Sequence, residues 1–223
     1  MGGRSDLAAV YRRLRRRFGH QGWWPGRTRL EIILGAILTQ SAAWTNVERA
    51  IAYLRRAGML RLERLHPAPP ASLAALVRPS GYFRQKAKKI RAFLRFLEHE
   101  FAGSLDRMAR VSAATLRPRL LGVFGIGPET ADSILLYAFG RPVFVVDAYT
   151  RRVLARHGWL PADAPYEDVR AWFESRLPRS VPLWNDFHAQ FVRLGKDFCA
   201  KRSPRCAGCP LRKLLPGGAP RAL

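Results

Sequence analysis

Residues 116–153 read LRPRLLGVFGIGPETADSILLYAFGRPVFVVDAYTRRV, and they decide the fold. Leu116–Leu121 has the spacing of a short helix, and Gly122, Gly125 and Gly127 then supply a turn whose backbone can approach a neighbour closely. Pro128 stands where the first residue of a helix would stand, and Ala131, Ile134, Leu135 and Ala138 carry that helix onward. A glycine-rich hairpin emptying into a helix N-terminus aims free N–H groups at an anion, although an ordinary packing corner gives the same pattern. Asp147 follows the apolar run Val143–Val146 and precedes another helix. It either caps that helix or holds a carboxylate at the mouth of a cleft.

Outside this segment the chain has 223 residues, with 39 Lys+Arg against 16 Asp+Glu, a net charge of +23. Hydrophobic residues make up 48%, which excludes a disordered or low-complexity chain. No apolar run reaches the ~18 residues that span a membrane. No secretory leader opens the chain and only three cysteines occur, so a soluble cytoplasmic protein is expected. The positive field favours a polyanion partner, because basic surfaces release counterions from phosphates. Most of the basic residues are Arg, which GC-rich codon usage would also produce.

Strand signals are nearly absent, and the best, Val143–Val146, is too short for a sheet. Leu7, Val10, Tyr11, Leu14 and Phe18 mark a basic amphipathic helix. Leu30, Ile33, Leu34, Ile37 and Leu38 mark a second, Val47, Ile51 and Leu54 a third. Leu73, Leu76 and Val77 predict a short helix ending before Pro79, and Ile90, Phe93, Leu94, Leu97 and Phe101 a strong one. The fold class is therefore all-α, built from many short helices.

The hairpin, the Gly-Arg-Pro, the apolar run and the aspartate together resemble the helix–hairpin–helix DNA glycosylases of the endonuclease III superfamily, over roughly residues 20–215. The resemblance implies a two-lobed fold with a DNA-binding cleft between lobes. One six-helix lobe would cover 27–137, and 1–26 with 138–223 would form the second. It implies that Gly122, Gly125 and Gly127 grip the DNA backbone and that Asp147 stabilises the sugar cation or activates the nucleophile. Asp147 and Glu129, the two catalytic candidates, would face that cleft. Bifunctional members carry a lysine in G-x-G-x-K-T-A, whereas this chain reads G-I-G-P-E-T-A. Glu129 cannot form the imine that strand cleavage needs, so a monofunctional enzyme is expected. An acidic first-turn residue is also favoured by the helix dipole.

The segment GWWPGRTRLEIILGAILTQSAAWTNVERA, residues 22–50, narrows the resemblance to the endonuclease III-like 3-methyladenine DNA glycosylases. In that group Trp24, Pro25 and Trp44 fall on the positions that sandwich the flipped base, with Trp23 adjacent and Lys196 near a pocket lysine. Bases methylated at N3 or N7 are cationic, aromatic faces attract cations by ~2 kcal/mol when desolvated, and a nearby carboxylate such as Glu129 would add to that preference. The same tryptophans would serve as ordinary core, and Lys196 as a surface lysine. Gln40, in the turn Leu38–Ser41, aligns with the residue that plugs the vacated stack. Tyr82, in Ser80–Ala87, aligns with the intercalating residue of a second loop, and core packing is its alternative.

Cys199, Cys206 and Cys209 are spaced C-x6-C-x2-C. In the endonuclease III group this run continues x5-C and binds a [4Fe–4S] cluster, but residue 215 is Leu. A cluster with incomplete cysteine ligation, a cluster-free remnant and zinc are the three readings. The expectation is a monomeric, nucleoid-associated base excision repair enzyme that hydrolyses the N-glycosidic bond of alkylated purines in double-stranded DNA. A glycosylase for oxidised or deaminated pyrimidines and a non-catalytic DNA-binding protein are the alternatives.

Overall fold

The computed structural model describes residues 6–222, and among them every regular element is helical. In chain order the helices are α1 (Leu7–Phe18), α2 (Arg29–Leu38), α3 (Trp44–Arg56), α4 (Leu62–Leu65), α5 (Pro70–Leu76) and α6 (Phe83–Phe101). They continue as α7 (Leu105–Arg110), α8 (Ala113–Leu121), α9 (Pro128–Ser133), α10 (Ala148–Arg156), α11 (Tyr166–Glu174) and α12 (Val181–Asp197). Among the described residues no helix is long and apolar enough to cross a membrane.

The chain divides into two compact units. One is Trp24–Arg141, holding α2 to α9. The other joins the chain up to Trp23 with the chain from Pro142 onward, holding α1 and α10 to α12.

In the first unit α2 is apolar almost all round and buried from Leu30 to Leu38 save Ile32, the mark of a central helix. Thr28 caps it by accepting from the Glu31 N–H at 3.2 Å. The amphipathic α6 packs against it and buries Ile90, Phe93, Leu94 and Leu97. The hairpin runs from α8 through Gly125 (φ +80°) into α9, whose helix loosens to π-type over Ile134–Ala138. Gly125 is needed for a second reason: a Cβ there would overlap the Lys89 side chain.

In the second unit Val143–Val146 is extended and buried but pairs with no strand. Its amides are met by α11 instead: Phe144 N–H donates to Glu174 at 2.9 Å, and Val146 N–H to the Tyr166 hydroxyl at 3.3 Å. The Phe144 ring stacks on Phe173 at 4.0 Å. This strap delivers Asp147 to the start of α10. Helix α1 docks on α12 through buried Leu7, Val10 and Leu14, with the Tyr11 hydroxyl donating to buried Asp186 at 2.8 Å.

Candidate active site and DNA-contacting loops

In the first unit the Trp24 indole lies over Gly35 of α2. Trp44, which opens α3, meets it edge-on at 4.9 Å and 87°. Tyr137 lies against it at 5.1 Å and 35°. The two tryptophans therefore touch rather than face each other across a ring-wide gap, and the sandwich expected of them is not formed. Aromatic pairs with nothing between them prefer edge contact, because ring faces are negative and edges positive. What they form is a wall of a cavity of about 260 Å³, shared with Pro25, Glu31, Glu48 and Arg55. Glu31 is buried and paired with Arg55 at 2.5 Å. Neither Glu129, Trp23 nor Lys196 lines this cavity. Trp23 and Lys196 belong to the other unit, where Trp23 is half-buried and Lys196 exposed near the end of α12.

Glu129 is exposed in the first turn of α9. Gly122 ends α8 and Gly127 precedes α9, and both are exposed. Gln40 is not a free side chain. Its amide nitrogen donates to Gly125 O at 2.9 Å and to the Thr130 hydroxyl at 2.8 Å, and its amide oxygen accepts from Lys89. Filling a vacated base stack would require breaking these bonds. Tyr82 is 74% exposed, which removes the core-packing alternative.

In the second unit Asp147 caps α10 through Oδ1, which accepts from the Thr150 N–H at 2.7 Å. Its other oxygen stands 3.6 Å from Nε2 of His188 on α12, and both side chains are largely buried. Capping and holding a buried carboxylate are thus done by the same residue. Burial alone would push the carboxyl up, but His188 and the Thr150 N–H outweigh it and hold the group below its ordinary value. Asp147 is therefore an ionised carboxylate with little water around it. Tyr149, two residues on, lies across Gly195, where a Cβ would meet its ring at 2.3 Å, so α10 sits tightly on α12.

A model of the HhH-GPD superfamily of base excision DNA repair proteins matches residues 34–179, which include the hairpin and the aspartate. The chain belongs to this family. Among HhH-GPD relatives, a candidate DNA repair glycosylase of Methanocaldococcus jannaschii is 40% identical over 206 residues, covering 92% of this chain and 93% of that protein. Endonuclease III of Sulfolobus acidocaldarius is 30% identical over 190 residues, covering 84% and 82%. The solved structure of H. pylori 3-methyladenine DNA glycosylase bound to 1,N6-ethenoadenine matches with a TM-score of 0.75 at 26% identity, covering 86% of this chain and 97% of that one.

The cysteine tail of this HhH-GPD protein does not fit an iron–sulfur cluster or a structural zinc. Cys199, Cys206 and Cys209 are free, and no fourth cysteine exists. Leu215, at the fourth position, is buried as an apolar residue. Among the described residues no group of three or more His, Cys, Asp and Glu is arranged to hold a metal. The buried Arg156 guanidinium organises the loop instead. It donates to Cys199 Sγ at 3.2 Å, Ala200 O at 2.7 Å and Lys201 O at 2.9 Å.

Sequence reasoning missed His188, Tyr137, Glu31 and two lysines of α6. A signal existed for some of them. His188 and Lys86 fall on the apolar faces of α12 and α6, four residues from Trp184 and from Ile90 respectively. A polar residue in such a register position is buried and needs a partner.

Proposed function

We propose that this HhH-GPD protein is a monofunctional DNA glycosylase for cationic alkylated purines such as 3-methyladenine in double-stranded DNA. The observation that carries the reading is the cavity walled by the aromatic rings of Trp24 and Trp44 together with Pro25. Aromatic faces favour a cationic ring over a neutral one, while the Glu31 and Glu48 carboxylates are balanced by Arg27 and Arg55. A base methylated at N3 or N7 leaves as a neutral molecule, taking the electron pair of the glycosidic bond, so no acid must protonate it. The sugar is left as an oxocarbenium-like cation. The ionised Asp147 carboxylate suits the task of stabilising that cation. Water then adds to C1′ and gives up a proton. Glu129 at the hairpin supplies no amine, so the strand should remain intact.

The likeness to an endonuclease III favours a second reading, a glycosylase for damaged pyrimidines. Base release from methylated duplex DNA, with and without later alkali, separates the two. Free 3-methyladenine, with nicks only after alkali, is expected. No release from methylated DNA, with release from oxidised or deaminated duplexes, would establish the second reading. Binding without release from any damaged duplex would make the chain a non-catalytic DNA-binding protein. Nicks without alkali would overturn the role given to Glu129.

A further inference from the structure

Lys86 is the most deeply buried cation of the first unit, 2% exposed on the apolar stripe of α6. No carboxylate pairs with it. Its Nζ donates instead to two backbone carbonyls from separate parts of the chain: Leu38 O at 2.8 Å and Ser80 O at 2.5 Å. Leu38 ends α2 and opens the turn that carries Gln40. Ser80 opens the loop that carries Tyr82, and its hydroxyl is itself tied to Val77 O at 2.7 Å. One turn further along α6, Lys89 donates to the Gln40 side chain.

Each of the two loops also holds a non-glycine residue with left-handed backbone, Ser41 at φ +51° and Tyr82 at φ +44°. Such conformations are costly and persist only where the surroundings enforce them. Burial lowers Lys86 to about 8, with Lys89 adding to the effect, so the ammonium is held against a real desolvation cost. A buried charge satisfied only by the carbonyls of two loops is well suited to fixing the distance between them.

We infer that Lys86 is a positioning residue that fastens the Gln40 turn and the Tyr82 loop into one rigid wedge for opening duplex DNA. The inference rests on the proposed DNA glycosylase function and on the resemblance that makes these two loops the DNA-inserting ones. Neither loop can then enter a base stack without the other. Tyr82, already exposed and preset in its strained conformation, is the leading element.

The test uses the full chain and the variants Lys86→Met, Tyr82→Ala and the double variant. Lys86→Met keeps the stem and removes the donors. The first readout is the fluorescence of 2-aminopurine beside an abasic-site analogue in duplex DNA, which reports unstacking on binding. The fluorescence rise should fall several-fold in each single variant and no further in the double, because the two residues act through one element. The second readout is single-turnover release of 3-methyladenine from a dimethyl-sulfate-treated strand. Its complement is either complete or carries an abasic site opposite the target adenine. Lys86→Met should lose about tenfold on the paired target and much less on the unpaired one, whose extrusion costs less. An unchanged fluorescence rise in Lys86→Met, additive losses, or equal loss on both targets would overturn the inference. A fluorescence rise in the native protein, lost in Lys86→Met, without any methyladenine release would support the wedge and refute the substrate assignment.

Discussion

Gly35 of α2 and the indole of Trp24 are packed so closely that a methyl group on residue 35 would lie 3.1 Å from Cζ2 and 3.2 Å from Nε1. Gly35→Ala would favour the helix by ~1 kcal/mol on propensity alone. It should nevertheless displace the Trp24 ring by a few tenths of an ångström. We expect unchanged or slightly raised thermal stability, an altered tryptophan emission spectrum and a several-fold loss of methyladenine release. An unaltered spectrum and rate would show that the aromatic wall tolerates movement.

Trp44→Ala removes half of the edge contact and one wall of the cavity. If the wall acts by attracting a cationic ring, the loss is ~2 kcal/mol, or about 30-fold in rate. Release of a neutral base such as uracil, where any is detectable, should fall far less. Parallel single-turnover assays on the two substrates check this.

Asp147→Asn should abolish turnover while DNA affinity, measured by fluorescence anisotropy, persists. The same carboxylate also has a stability signature. Its pKa is depressed in the folded state, so its contribution is fully present above the unfolded value of ~3.9 and is lost as pH falls through the folded value. Urea midpoints followed from pH 6 downward should therefore decline less steeply in Asp147→Asn than in the native protein, with the difference confined to the region below about pH 4. His188→Leu should release the carboxyl from its neighbour and raise its titration, shifting the acid limb of the rate profile to higher pH.

Arg156→Met should loosen the cysteine tail. Two carbonyls and a sulfur lose their donor, and a buried unsatisfied group costs about 1–3 kcal/mol. A fall of several degrees in Tm is expected by calorimetry for a chain of this size. The native protein should carry no absorbance near ~400 nm and no stoichiometric iron. Cys209→Ser should leave Tm and activity nearly unchanged. Stoichiometric iron that is lost in Cys209→Ser would overturn the cluster-free account of the tail.

Tyr11→Phe should weaken the docking of α1. The hydroxyl donates to Asp186, which also accepts from the Gln21 N–H at 2.9 Å and the Gln190 amide at 3.2 Å, and buried carboxylates depend on such donors. Burial first, then Asp186, pushes the Tyr11 phenol up to about 12. Its contribution is therefore complete below pH ~10, the unfolded value, and is lost as pH rises toward the folded one. Alkaline denaturation between these limits should be steeper in the native protein than in Tyr11→Phe.

The helices were legible because apolar spacing is a local signal. Leu30, Ile33, Leu34, Ile37 and Leu38, picked out by period, are all buried in α2. The absence of a sheet around Val143–Val146 was legible too, from its length. The polar partnerships were not. Lys86 reaches Leu38 across 48 positions, and Gln40 reaches Thr130 across 90, with no spacing rule to connect them. The aromatic pocket was half legible. Trp24, Pro25 and Trp44 do share a cavity, but its carboxylates come from α2 and α3 and not from the hairpin. The orientation of the two rings depends on Gly35 and Tyr137, which no motif marked.

The strap before Asp147 has a measurable dynamic consequence. The amides of Phe144 and Val146 are protected by side chains of α11, not by a ladder, so their exchange with solvent deuterium is governed by how often α11 lifts away. Those two amides thus become reporters of the register of the Asp147 carboxylate. Glu174→Gln, which keeps an acceptor, should leave their exchange slow, whereas Glu174→Ala should speed Phe144 exchange selectively.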